Sequence, residues 1–101
     1  MAKQEKDLRD ELMRVLRSPM RREIVRLLLE QDPAAIGPRD SAEALSGPLS
    51  NIAYHYRELQ KAQMIVCVHT EQVWGSTAHF YRLTPPLREL PLLEMIVGVN
   101  R

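Results

Sequence analysis

The hydrophobic positions of this chain follow a helical period as far as Leu59, change to a strand period between Met64 and Thr84, and end in a dense apolar tail. From Asp7 to Leu16 the apolar residues Leu8, Leu12, Val15 and Leu16 share one face of a helix. Ser18 is placed to cap a second helix and Pro19 to open it, with Met20, Ile24, Leu27 and Leu28 carrying its face to Gln31. Two prolines and a glycine make Gln31 to Pro38 a loop. Arg39 to Leu45 reads as a short helix burying Ala42 and Leu45. Ser46, Gly47 and Pro48 then force a corner, because Gly supplies unusual backbone angles and Pro favours the first position of a new helix. That helix starts near Pro48 or Leu49, with Ser46 or Gly47 as candidate N-cap. Its packed face is Leu49, Ile52, Ala53, Tyr56 and Leu59.

Met64 to Thr70 is rich in β-branched residues and too short for an independent helix, so a strand is predicted there. Glu71 to Thr77 contains Gly75 and turns the chain, and Ala78 to Thr84 returns as a second, aromatic strand. Pro85 and Pro86 start a further helix that must kink or restart at Pro91, which has no amide proton to give. Leu92, Leu93, Met95, Ile96, Val97 and Val99 then offer more apolar surface than one side of a short helix needs. The predicted fold is mainly α with a small β-hairpin wing, a winged helix-turn-helix. Residues 1–101 form one domain, with 39–62 the helix-turn-helix, 64–84 the wing, and 7–17 and 86–99 dimerisation helices. The expected dimer interface is Leu8, Leu12, Leu92, Leu93, Met95 and Ile96; the competing expectation is that the tail folds back onto its own core.

The polar face of the helix after the corner is Ser50, Asn51, Tyr54, His55, Glu58 and Lys61, rich in neutral hydrogen-bonding groups. Base edges in a DNA major groove are read by short donors and acceptors of this kind, whereas long cations mostly address phosphates. An ordinary solvated face is the alternative for any one of them.

Several segments in order resemble the winged helix-turn-helix regulators of the ArsR-like group: SPMRREIVRLLLE at Ser18 to Glu30, AEAL at Ala42 to Leu45, IAYHYREL at Ile52 to Leu59 and HFYRLT at His79 to Thr84. Four such motifs in the right order cover roughly Ser18 to Thr84. The sequence departs from the pattern at Ser41 (usually Leu), Gly47 (an apolar plug), Tyr54 (often Arg or Lys) and Gln63 (usually the Gly that ends the helix). The resemblance implies a homodimer that binds double-stranded DNA, and a one-residue bridge from Ile36 to the wing. Family metal sensors carry paired Cys in the first motif helix or His and acidic residues in the last helix. Here those places hold RDSAEAL and LRELPLLEMI, so neither set is present.

Composition adjusts this picture. The net charge is formally +1, so any affinity for a polyanion must come from how charge is distributed. Arg14, Arg17, Arg21, Arg22 and Arg26 form the local basic excess. That run is either a solvated face partly neutralised by Glu23 and Glu30, or it holds a phosphate clamp at Arg21 or Arg22. Arg39 opens a helix whose dipole does not favour a cation, which suits an external anion. A single Cys67 allows no internal disulfide and fits a reducing cytoplasm, and no signal peptide or membrane span is expected. Cys67, His69 and His79 share the hairpin, with Cys67 and His69 expected on one face and His69 near His79. Without a complete set of ligands no metal or other cofactor is expected.

The wing tip, Gln72 to Thr77, carries no Lys or Arg, and Trp74 is expected to pack or to await a partner. Arg82 is expected to reach a phosphate or an acidic neighbour. With no phosphate-cradling loop and no nucleophile–base pattern, an enzyme is not expected.

The expected function is sequence-specific DNA binding by a cytoplasmic, homodimeric transcriptional regulator. Ser50, Asn51, Tyr54 and His55 would meet bases or the groove, and Arg39, Arg57, Lys61, Gln72 and Thr77 would meet the backbone. No membrane partner is expected and the sequence names no effector. The alternative is a winged-helix protein-interaction module, toward which the near-zero charge, the uncharged wing tip and Tyr54 point.

Overall fold

The structure, a computed structural model, describes residues 5–98. Helices α1 (Glu5–Val15), α2 (Pro19–Gln31), α3 (Pro38–Leu45) and α4 (Leu49–Lys61) precede an antiparallel hairpin of β1 (Ile65–Val73) and β2 (Ser76–Leu83). Two short helices, α5 (Pro85–Arg88) and α6 (Pro91–Val97), follow. The described chain is thus mainly helical with a small two-stranded sheet, an arrangement compatible with a winged helix. Residues 1–4 and 99–101 of the expected domain, Val99 of the apolar tail among them, lie outside the described residues.

Local chemistry sets the helix ends. The Ser18 hydroxyl accepts the Arg21 amide at 3.3 Å, as its place before Pro19 predicts. The Arg22 guanidinium donates to the carbonyls of Leu16 (2.7 Å) and Arg17 (3.1 Å), satisfying carbonyls that the end of α1 leaves without helical partners. Asp40 accepts the Gly37 amide at 2.9 Å and fixes the start of α3. The corner after α3 differs from expectation. Ser46, not Gly47, takes the left-handed conformation (φ 53°), and Pro48 rather than Ser46 or Gly47 holds the N-cap position of α4, with no side-chain cap. A short polar side chain tolerates that region better than a branched one, so the turn does not require the glycine. Gln63 is also left-handed (φ 60°), at the position where the resembling pattern carries Gly.

One core joins the helices to the base of the hairpin, with Ile24, Leu28, Ile52, Tyr56, Leu59, Leu83 and Leu87 all but sealed from solvent. Pro91 restarts the chain as α6, which packs against α2 and sends Leu93 and Val97 inward. Leu12 and Leu93 are each 0% exposed and belong to the protomer's own core, which corrects their assignment to a dimer interface: both sides of the contact come from one chain. In α3 the fully buried residue is Ser41, while Ala42 and Leu45 are half-buried against the core.

The strands run further than the pattern predicts. Val73 pairs with Ser76, so the turn is the dipeptide Trp74-Gly75, with φ of 51° and 80°. Positive φ at both positions gives a tight turn whose twist matches the strands, and the ladder continues right up to it. Between Cys67 and His69 the register slips, so that Cys67 faces Tyr81 while His69 faces Phe80. Ile36 bridges to Tyr81, its amide donating to the Tyr81 carbonyl at 3.1 Å and its carbonyl accepting at 2.8 Å.

Candidate nucleic-acid interface

Along α4 the spacing sorts side chains onto two sides. Ile52, Tyr56 and Leu59 enter the core, and Ser50, Asn51, Tyr54, Arg57 and Lys61 stand exposed. Leu49, expected in the packed face, is instead 43% exposed. It sits in the first turn of α4, beyond the edge of the core, and with half-buried Ala53 it borders a cleft of about 400 Å³ between α4 and the hairpin. Arg39 and Arg57 border the same cleft from the helical side. Ser76, Thr77 and Phe80 border it from the hairpin. Folding thus brings together two cations that lie in different helices.

A buried polar knot holds those helices. The Ser41 hydroxyl lies 2.7 Å from the Tyr56 oxygen, and the Tyr56 hydroxyl donates to the Gly37 carbonyl at 3.2 Å, so Ser41 is the donor in the first bond. The Ser41 amide also donates to that carbonyl, at 3.2 Å. Burial pushes the Tyr56 phenol far above its ordinary pKa, against the partial relief given by Ser41. Tyr81 packs on Tyr56 with ring centroids 5.4 Å apart. Gly37 approaches the hairpin so closely that a Cβ there would lie 2.5 Å from the His79 carbonyl oxygen, which only glycine permits. α3, α4 and the hairpin therefore meet at one small region that sets the position of Arg39.

On its other flank α4 meets α2. Arg21 Nε donates to His55 Nδ1 at 3.0 Å, and the same guanidinium lies 6.0 Å from the Tyr54 ring centroid. Tyr54 in turn meets His55 edge-on at 5.2 Å. Desolvation, and then the charge of Arg21, lower the His55 pKa, with Glu58 opposing. His55 is thus half-buried and engaged within the protein, which removes it from the set expected to point freely outward. Arg21, which the sequence offered as a phosphate clamp, is a support for this pair. Arg22 and Arg26 are committed elsewhere, the latter to Glu23 (2.6 Å) and Glu30 (2.9 Å).

The remaining expected contacts are partly occupied by one another. Lys61 pairs with Glu58 at 3.1 Å, and Gln72 donates to Thr77 Oγ1 at 3.0 Å across the strands. Arg82 chooses its acidic neighbour, lying 3.1 Å from Asp32, which Arg88 also approaches at 3.5 Å. The register slip puts Cys67 and His69 on opposite faces, contrary to expectation. His69 instead bonds Glu71 at 3.0 Å, and His79 lies across from Thr70. Among the described residues no group of three or more His, Cys, Asp and Glu side chains could hold a metal ion. Nor is any described helix long and apolar enough to cross a membrane. Of the expected dimer residues outside the core, Leu8, Leu92 and Ile96 are half-buried and Met95 is 81% exposed.

Leu49 and Phe80 as cleft walls, and Arg21 as the partner of His55, were not read from the sequence. For Leu49 the spacing gives no signal, because it does not show where the opposing surface stops. No model of a known protein family matches this chain, and no curated protein matches it either.

Proposed function

We infer that the chain binds double-stranded DNA in a sequence-dependent way, as a homodimeric transcriptional regulator of the ArsR-like winged-helix kind acting in the cytoplasm, and that it binds rather than catalyses. The observation that carries this reading is the outer stripe of α4. Ser50, Asn51 and Tyr54 stand exposed, and Arg57 and Arg39 line the cleft between α4 and the hairpin. An α-helix fits the major groove, and short polar groups on it can meet base edges. Asn51 pairs with a base, adenine being the usual bidentate partner of such an amide. Tyr54, steadied by Arg21 and His55, meets a base or the sugar edge. The phosphate strand bordering that groove crosses the cleft and takes Arg39 and Arg57, with Lys61 further along.

Dimerisation uses α1 and α6 through Leu8, Leu92, Met95 and Ile96. It sets two copies of α4 about 34 Å apart, one turn of duplex. Selection of duplexes from a random pool, followed by affinity measurements across a salt series, tests the reading. The expected result is a two-half-site consensus and a log–log salt slope of about −0.9 per phosphate contact. A pool that yields no enriched duplex would overturn it in favour of a protein-interaction module.

A further inference from the structure

The cleft of about 400 Å³ between α4 and the hairpin has walls that are tied together at their base. Ile36 and Tyr81 exchange backbone hydrogen bonds of 3.1 and 2.8 Å there, and the Tyr56 hydroxyl holds the Gly37 carbonyl at 3.2 Å. Neither wall parts from the other without losing those bonds. A preformed concavity of this volume is of the size that takes small organic molecules.

The lining narrows the occupant. Pro38, Leu49 and Ala53 contribute to it from the helices, and Val73 and Ala78 from the hairpin. Leu49 continues the buried stripe of Ile52, Tyr56 and Leu59, yet it is 43% exposed and borders the cleft. A molecule lying there would remove from water an apolar surface that the fold itself leaves wet.

Charge decides the head group. Apart from His79, the lining's charged residues are Arg39, Arg57 and Asp40. The Asp40 carboxylate already accepts the Gly37 amide at 2.9 Å, and Glu58, next to Arg57 in the chain, is held by Lys61 at 3.1 Å. Among the described residues Arg39 and Arg57 form no salt bridge. Two guanidinium groups against one engaged carboxylate leave the cleft one positive charge in excess, and the paired N–H donors of a guanidinium match a carboxylate. Inorganic phosphate would meet the same donors but leave the apolar lining wet. We propose that the cleft binds a small apolar molecule carrying one carboxylate, with its head on Arg39 and Arg57 and its body on Leu49 and Ala53. Those two arginines are also the proposed phosphate contacts, so such a molecule and a duplex exclude each other and the cleft is an effector site. That consequence, unlike the site itself, rests on the DNA-binding reading above.

The probe is 2-naphthoate, a bicyclic body with one carboxylate, and 2-naphthamide is its neutral counterpart. Titration calorimetry of the full chain is expected to give one site per chain, half-saturated below about 1 mM, with the amide about tenfold weaker. Backbone amide shifts in nuclear magnetic resonance spectra are expected at Leu49, Ala53, Thr77 and Ala78. Arg39→Gln and Arg57→Gln should each weaken naphthoate binding about tenfold with thermal melting unchanged, and Leu49→Ala about threefold. Arg14→Gln, outside the cleft, should leave binding as it is. Equal affinity for acid and amide, shifts that collect on α6 instead, or an equal loss in Arg14→Gln overturns the site. So does naphthoate that fails to saturate the chain at about 10 mM. Saturating naphthoate is further expected to weaken a selected duplex about tenfold. Naphthoate bound in the cleft with duplex affinity unchanged overturns the effector role. Naphthoate bound there when no duplex is recovered from the pool overturns the DNA reading and upholds the site.

Discussion

Removing the Tyr56 hydroxyl should cost more than removing the Ser41 hydroxyl, and removing both should cost less than the two combined. Ser41 is fully buried and gives its proton to the phenol, whereas the phenol gives its own to the Gly37 carbonyl. In Tyr56→Phe the carbonyl keeps the Ser41 amide, but the Ser41 hydroxyl loses its partner in a sealed site, a penalty of about 2 kcal/mol. In Ser41→Ala the phenol keeps its bond to Gly37, so the loss is about 1 kcal/mol. The double variant has no stranded hydroxyl and should lose about 2 kcal/mol, which leaves a coupling of about 1 kcal/mol. Urea unfolding followed by far-ultraviolet circular dichroism is the suitable assay, since fully exposed Trp74 would report poorly on unfolding. Each kcal/mol should also move Tm by roughly 4–8 °C. Strictly additive losses, or a Tyr56→Phe protein as stable as the parent, would refute the account. The pH dependence gives a second check. With the folded pKa raised, the unfolded chain ionises its phenol first, so this contribution is whole below pH about 10 and drains as pH climbs from there. Tyr56→Phe should lack that alkaline loss.

Asn51→Ala is expected to relax choice at one base position and to weaken the selected site by about 1–3 kcal/mol, read by repeating the selection and the titration. Arg39→Ala and Arg57→Ala should weaken all duplexes alike and each flatten the log–log salt slope by about 0.9; an unchanged slope would place that arginine off the backbone. His55 has a lowered pKa, so its contribution to stability is present above pH about 6.5 and is lost as pH falls through the folded value, where protonation abolishes its acceptor for Arg21. His55→Ala should remove that acid-side loss, and a nuclear magnetic resonance titration of the ring should give the low pKa. Leu93→Ala should destabilise the protomer by about 2–5 kcal/mol because it opens a cavity in the core. Met95→Lys should leave thermal melting nearly unchanged and shift the mass measured by sedimentation, a result that retained dimerisation would contradict.

Periodicity was enough to place α1 to α4 because each helix buries a stripe that recurs every three or four residues. It failed at their margins for a physical reason. Leu49 has the right spacing, but the core ends before it, and periodicity carries no information about where the opposing surface stops. Leu12 and Leu93 looked surplus because each was judged against its own helix, whereas each fills space left by another. The corner misled because Gly47 advertises a turn that Ser46 makes. At the hairpin, Trp74-Gly75 does not look like a turn of the Asn-Gly type, so the pattern left the loop too long. The slip between Cys67 and His69, invisible in composition, then reversed which residues share a face.

Charge was the least legible property, and its resolution bears on how tightly the proposed complex forms. The arginines of α2 suggested a basic face, yet Arg22 closes α1, Arg26 answers Glu23 and Glu30, and Arg21 is bound to His55. Arg82 and Arg88 converge on Asp32. Those cations hold the fold together and Lys61 is shared with Glu58, whereas Arg39 and Arg57 are the arginines that line the cleft beside α4. In the proposed dimer these four arginines would meet phosphates, and they should add only about −3.6 to the log–log salt slope at about −0.9 each. On the proposed reading, specificity beyond that ionic contribution would come from contacts that salt does not weaken: the amide of Asn51 and the ring of Tyr54.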